Sequence, residues 1–255
     1  MIVPEKPEFE KAVFEQESPI AVPVELTVYE GKAGAEGLKL LSYSFAEPVC
    51  RAFEARFAAD PLSPEAVEFL VSSLRPLMEP FGYDEVDTAD YPLLDYRPAP
   101  GESASGGPAP DELGTFAPAV LISTLDGERW HEDLPLDEFA LDPSNPVDRM
   151  AVVRDGQGTI VCFAGLNDIS EDEGFCEMNV ECAEAFRGRG YGPACTSLLT
   201  DCLTGLGERV QYVTSHLNEP SVRCAEKAGL TLAARVFPVV FRKSGEDDAE
   251  FFDFT

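Results

Sequence analysis

Between residues 186 and 193 the chain reads Phe186-Arg187-Gly188-Arg189-Gly190-Tyr191-Gly192-Pro193. Three glycines allow the backbone to bend until successive N–H groups face one point with no side chain in the way. A helix starting here adds its unpaired first-turn N–H groups and the positive end of its dipole. Pro193 suits that first turn, where its missing N–H is not needed. The chemistry on offer is anion binding, best matched to a pyrophosphate, with Arg187 and Arg189 beside it. These are two of only nine basic residues after Met150. No Gly-Lys-Ser/Thr follows, which excludes a P-loop. The dinucleotide pattern also fails, because Gly188-x-Gly190 leads to Pro193 and Gly190-x-Gly192 to Cys195. Taken alone, the segment equally fits a tight strand-to-helix turn with solvated arginines.

Just upstream, Glu177, Asn179 and Glu181 alternate with Cys176, Met178, Val180 and Cys182, the period of a strand with one polar and one apolar face. Glu177 and Glu181 on this face, and His216 further on, are groups able to take up a proton directly or through water. A solvated strand face and a loop histidine are the plain alternatives. The seven cysteines include no Cys-x-x-Cys pair and are accompanied by only two histidines, so neither a metal site nor a secreted disulfide framework is expected. They read as reduced, buried thiols, with Cys182 structural rather than nucleophilic.

The run Arg187-x-x-Gly190-x-Gly192, placed between a strand and a helix, resembles the acyl-CoA signature of the GNAT superfamily of N-acyltransferases. Downstream, Val213-Thr214-Ser215-His216-Leu217-Asn218-Glu219-Pro220-Ser221 closes a strand and opens a helix that Ala225-Glu226-Lys227-Ala228-Gly229-Leu230 ends. This is similar to the second signature of that family, Asn-x-x-Ser/Ala followed by a helix and a glycine turn. The resemblance covers roughly residues 116–243 and leaves out the first hundred or so.

The resemblance implies a mixed α/β fold: a mostly antiparallel sheet, splayed between the strand before the Gly-rich turn and the next parallel strand, flanked by helices. It implies acetyl-CoA as co-substrate. The pantetheine arm would lie on the backbone of Val180, Glu181 and Cys182. The pyrophosphate would rest on the N–H groups of Gly188, Arg189, Gly190, Tyr191 and Gly192, flanked by Arg187 and Arg189. Asn218 and Ser221 would approach from the neighbouring strand end, where they also fit a helix N-cap and a first-turn hydroxyl. Tyr191 reads as a packing or stacking ring. The implied reaction moves an acetyl group to a primary amine by direct attack in a ternary complex, with Glu181, Glu177 and His216 as the candidate catalytic residues. Many members protonate the leaving thiolate with a tyrosine seven residues after the Asn. That position is Ala225, so this acid is absent. A catalytically weak module that binds or senses acyl-CoA is the alternative function.

The elements that must position these residues follow from periodicity and turn chemistry. Residues 1–21 read as a surface arm, 22–29 as a strand, and 47–59 and 63–79 as helices, the second opened by Ser63-Pro64-Glu65. Residues 82–92 read as turn-rich, and the Pro/Gly/Ser/Ala run 98–110 as a linker. Strands follow at 116–124, 150–154, 159–165, 175–182, 210–215 and 236–242, with helices at 134–141, 191–206 and 220–228. The expected plan is an N-terminal α/β region over 1–110, an acyltransferase domain over 111–243 and an acidic tail over 244–255.

Charge bounds the partners. The chain of 255 residues carries a net charge of −28, with 10 basic and 30 acidic residues up to Met150 and 9 and 17 after it. Such a surface repels phosphate backbones and anionic lipid, so neither nucleic acid nor a membrane is an expected partner. It attracts cations, so the expected acceptor is a cationic amine, the alternative being that the charge serves only solubility. The chain start has neither a basic nor an apolar leader pattern, giving a cytoplasmic expectation, and a monomer or homodimer is expected.

Overall fold

A computed structural model of the chain describes residues 2–4, 7–15, 18–30, 37–88, 91–99, 119–123, 149–170 and 175–245. The chain divides into two units that interleave along the sequence. One comprises Met1–Leu94, Ser215–Leu217 and Ala233–Thr255, the other Asp95–Thr214 and Asn218–Leu232. The expected boundary at 110, the expected helix at 134–141 and residues 246–255 of the expected tail lie outside the described residues.

The first unit begins with β1 (Ile2–Pro4), α1 (Pro7–Phe14), β2 (Ile20–Ala21), β3 (Val24–Tyr29) and β4 (Leu38–Ser42). It continues with α2 (Glu47–Phe57), α3 (Pro64–Met78) and β5 (Tyr83–Asp87). Ser63 starts α3 as expected: its side chain accepts from the Ala66 N–H at 3.4 Å, and Pro64 fills the first helical position. Leu70, Leu74 and Met78 then recur every fourth residue and are fully buried with Phe53, Leu26, Leu40 and Phe241. β3 pairs antiparallel with β4 and β1 pairs parallel with β4. The segment expected as a surface arm therefore contains two strands and a helix, and the turn-rich stretch contains β5. The last expected strand is two: β12 (Leu230–Pro238) pairs with β3, and β13 (Val240–Lys243) pairs with β2 and β5.

The second unit takes in the end of β6 (Leu93–Pro98), then β7 (Val120–Ser123), β8 (Arg149–Arg154), β9 (Ile160–Ser170) and β10 (Phe175–Cys182). α4 (Tyr191–Gly205), β11 (Arg209–Ser215) and α5 (Glu219–Lys227) complete it. β7 to β10 form an antiparallel run, and β11 then joins β10 in parallel. The β8–β9 turn closes because Asp155 Oδ1 accepts from the N–H groups of Gln157 at 2.8 Å and Thr159 at 3.0 Å. This is a mixed α/β fold with a mostly antiparallel sheet and flanking helices, as expected.

The buried face of α4 combines Cys195, Leu199 and Leu203 with two threonines. Thr196 and Thr200 are fully buried, while Leu206 is exposed. Sulfur explains this. The Thr200 hydroxyl donates to Met178 Sδ at 3.6 Å, and Thr196 Oγ1 lies 3.7 Å from Cys224 Sγ, so both hydroxyls have partners inside. No helix among the described residues is long and apolar enough to cross a membrane.

Candidate active site

β10 and β11 are paired over three residues only: Phe175 with Arg209, Cys176 with Val210 and Glu177 with Gln211. β10 runs on to Cys182, still paired with β9 along its other edge, and β11 runs on to Ser215. The two parallel strands therefore part after Glu177 and Gln211. The closed end is fixed by Phe175, whose ring centroid lies 4.1 Å from the Arg97 guanidinium carbon and 3.8 Å from that of Arg209.

The β9–β10 ladder decides which backbone groups face the opening. The Ala183 N–H donates to the Val161 carbonyl at 3.0 Å, so the Ala183–Val161 pair is a hydrogen-bonded one. By alternation Cys182 and Val180 turn their N–H and C=O groups away from β9, toward the opening, while Glu181 turns its own toward β9. One acceptor there is engaged: the Cys182 carbonyl accepts from Arg187 Nε at 2.9 Å.

The chain leaves β10 through a 3-10 turn (Glu184–Phe186) and enters α4 at Gly190. Gly188 and Gly190 hold φ of +75° and +83°, a left-handed conformation that a side chain would strain. Gly190 is the N-cap and has no side chain with which to cap, so the first-turn N–H groups of α4 stay available to an anion. A Cβ built on Gly188 would meet nothing within 4 Å, so the space above the turn is open. At Gly192 the opposite holds: a Cβ there would sit 3.1 Å from Cys224 Sγ and 3.7 Å from Val180 Cγ2, so the glycine lets α4 pack close to β10 and α5. Arg189 Nη2 donates to the Ala185 carbonyl at 2.9 Å, with its guanidinium carbon 4.9 Å from the Phe186 ring centroid. Both arginines are thus anchored beside the turn. The Tyr191 ring is buried, and burial pushes its hydroxyl up despite the nearby Arg189.

From the other strand, Asn218 Oδ1 accepts from the Ser221 N–H at 3.2 Å and caps α5. Ser221 Oγ lies 2.7 Å from the Tyr212 hydroxyl. Burial pushes that phenol well up, so it stays protonated. Tyr212 and Gln211 were not singled out from the sequence. Gln211 Nε2 donates to Glu177 Oε2 at 3.2 Å across the closed end, and Tyr212 is the first β11 residue past the last pair. The only local signal was their place on the strand before Asn218.

Glu177 and Glu181 are half-buried, with Asn179 exposed between them. They belong to the second unit, as do Val180, Cys182, the turn from Arg187 to Gly192, Asn218 and Ser221. His216 belongs to the first unit, where its N–H donates to the Pro92 carbonyl at 3.4 Å and its Nδ1 is buried without a hydrogen-bond partner among the described residues. Ala225 is fully buried. Among the described residues no group of three or more His, Cys, Asp or Glu is placed to hold a metal ion.

A bent turn with uncapped N–H groups, two anchored guanidiniums and an adjoining gap between parallel strands suits a ligand that has a pyrophosphate and a long amide-bearing arm. Residues 122–231 match the family model described as acetyltransferase (GNAT) domain. Among solved structures, a GNAT-family acetyltransferase from Novosphingobium aromaticivorans is 18% identical with a TM-score of 0.41, over 60% of this chain and 65% of that one. A GCN5-related N-acetyltransferase from Kribbella flavida is 18% identical with a TM-score of 0.44, over 73% and 66%. A GNAT-family acetyltransferase from Colwellia psychrerythraea is 11% identical with a TM-score of 0.44, over 68% and 62%. The chain thus spans just under two thirds of the length of each of these three. No curated protein matches. Over residues 122–231 this chain is similar to the GNAT acetyltransferases.

Proposed function

We propose that the protein is an N-acetyltransferase that moves the acetyl group of acetyl-CoA to a primary amine in a ternary complex. The observation that carries this reading is the parting of β10 and β11 after Glu177 and Gln211, beside the uncapped start of α4. In this reading Gly188 to Gly192 bind the pyrophosphate with Arg187 and Arg189. Val180, Glu181 and Cys182 line the pantetheine arm, and Asn218 and Ser221 approach it from α5.

A lysine-like amine has a pKa of about 10.4 and must lose its proton to attack. Glu181, nearer the open end, takes that proton directly or through water, with Glu177 and His216 as the further candidates. The backbone N–H groups of Val180 and Cys182 face the opening and stabilise the charge that gathers on the acyl oxygen. Ala225 supplies no proton to the leaving thiolate. The acceptor is a cationic amine, drawn in by the net charge of −28. The protein works in the cytoplasm, as monomer or homodimer, and takes neither nucleic acid nor membrane as partner. Residues 1–94 contribute to the first unit together with Ser215–Leu217 and Ala233–Thr255, and the proposed cofactor site lies in the second.

The test is thiol release from acetyl-CoA with a panel of amines. Turnover with a polyamine or lysine peptide should fall as salt rises, since attraction is screened over about 8 Å at physiological salt. Preference for a neutral acceptor with no salt dependence contradicts the cationic assignment. The buried Ala225 favours one second reading, an acyl-CoA-binding module. It predicts CoA binding with no thiol release from any amine.

A further inference from the structure

Cys162, Cys182, Cys195 and Cys224 lie close to one another beside β10, and the proposed transfer uses none of their thiols. Cys195 Sγ donates to the Cys162 carbonyl at 3.9 Å. Cys224 Sγ and Val180 Cγ2 both lie within 3.7 Å of the Cβ position of Gly192. Cys162 and Cys182 are the pair that the backbone sets directly opposite one another, on neighbouring antiparallel strands.

Because the adjoining pair, Ala183 and Val161, is hydrogen-bonded, Cys162 and Cys182 occupy a non-hydrogen-bonded position. Cα atoms at such positions are about 4.5 Å apart, with the two side chains on one face. A disulfide accepts Cα separations of roughly 4.4–6.8 Å. The existing register therefore already meets the Cα requirement for a bond. Exposure differs between the two: Cys162 is buried, whereas Cys182 is half-buried beside the turn that carries Arg187 and Arg189. Cys182 is thus the more exposed residue of the pair, and Cys162 lies directly opposite it to resolve.

We propose that Cys162 and Cys182 are a redox-modification site, which a low-molecular-weight disulfide such as oxidised glutathione converts into a cross-strand disulfide. The Cys182 thiolate attacks one sulfur of the glutathione disulfide, giving a mixed disulfide and one glutathione thiolate. Cys162 loses its proton, attacks the Cys182 sulfur and expels the second glutathione. Two protein thiols are oxidised and one glutathione disulfide is reduced to two thiols. The hydrogen bond with Cys162, and then burial, push the Cys182 thiol up against the pull of Arg187 and Arg189. Thiolate is scarce at neutral pH, so exchange is slow there and quickens as pH rises.

The bond has a mechanical consequence. Facing Cβ atoms in a sheet lie about 4.5–5.5 Å apart, and a disulfide needs about 3.8 Å. Oxidation therefore draws the end of β10 toward β9 and shifts the backbone groups of Val180 and Cys182 that face the opening. Resting on the acyl-CoA reading above, oxidised protein binds CoA more weakly.

The full chain is exposed to oxidised glutathione at about pH 7 and pH 9 and digested without reduction for mass spectrometry. The expected product is a peptide pair joined through Cys162 and Cys182, formed faster at the higher pH and removed by dithiothreitol. In the Cys162→Ser variant, Cys182 should instead retain glutathione as a mixed disulfide. Calorimetric titration with CoA should show about tenfold weaker binding after oxidation, or about 1.4 kcal/mol, restored by dithiothreitol. The absence of a joined peptide after prolonged exposure at the higher pH, or joining only through other cysteines, overturns the site. Equal CoA affinity before and after complete oxidation overturns its effect on binding. Failure of the reduced protein to bind CoA refutes the acyl-CoA reading and leaves the Cys162–Cys182 bond standing.

Discussion

Gln211 Nε2 donates to Glu177 Oε2 at 3.2 Å from the last paired position of two parallel strands that then separate. The bond ties the β10 carboxylate to β11 at the closed end. Glu181, four residues further along β10, is past the parting of the strands. We therefore expect Glu181→Gln to lower kcat by about 10²-fold or more at neutral pH, the scale of a lost general base. Glu177→Gln should cost less. Steady-state kinetics from pH 6 to 10 check this, and the Glu181→Gln deficit should shrink as the amine deprotonates unaided. A larger loss from Glu177→Gln would move the base to the closed end.

Asn218 has two separable roles. Asn218→Ala should cost about 1 kcal/mol of stability through loss of the α5 cap, and should weaken CoA binding. Asn218→Asp keeps the cap, since aspartate caps as well, but brings a negative charge toward an anionic ligand. Its denaturation midpoint should match the parent while its CoA affinity falls. Unchanged affinity in both variants would confine Asn218 to capping.

Tyr212 gives an alkaline signature. Burial raises the phenol above its unfolded value of about 10, so its contribution is complete below that pH and is lost as pH rises toward the folded value. Tyr212→Phe removes this slope. At pH 7 it should cost about 0.5–1.5 kcal/mol for the bond to Ser221, and above about pH 10 the gap to the parent should narrow. Urea denaturation at several pH values measures it, and a gap that widens with pH contradicts the assignment.

In the first unit, Leu70 is fully buried between α3 and its neighbours. Leu70→Ala should destabilise by about 2–5 kcal/mol through lost transfer energy and the cavity left behind. Chemical denaturation reads this directly, and a loss below about 1 kcal/mol would mean that the α3 core collapses around the gap.

Local chemistry was legible in the sequence. Strict alternation over Phe175–Cys182 gave β10 with its bounds, and the Gly-rich turn, Asn218 and Gly229 marked the ends of α4 and α5. Non-local pairing was not. Tyr83-Asp84-Glu85-Val86-Asp87 is short and largely acidic, and becomes a strand because β13 lies against it. Leu230–Pro238 and Val240–Lys243 read as one strand because nothing local says that each pairs with a different partner. Gln211 was invisible for the same reason. Its role depends on which β10 residue the parallel register sets opposite it.

The central claim is that the turn from Arg187 to Gly192 holds the pyrophosphate of an acyl-CoA. Calorimetric titration of CoA into the parent and into Gly190→Val tests it most directly, with circular dichroism confirming that the variant is folded. Gly190 sits at φ +83°, where a β-branched residue is strained and its branches crowd the N–H groups of the turn. The account predicts saturable binding to the parent and none to folded Gly190→Val. Equal CoA affinity in the two proteins would contradict it.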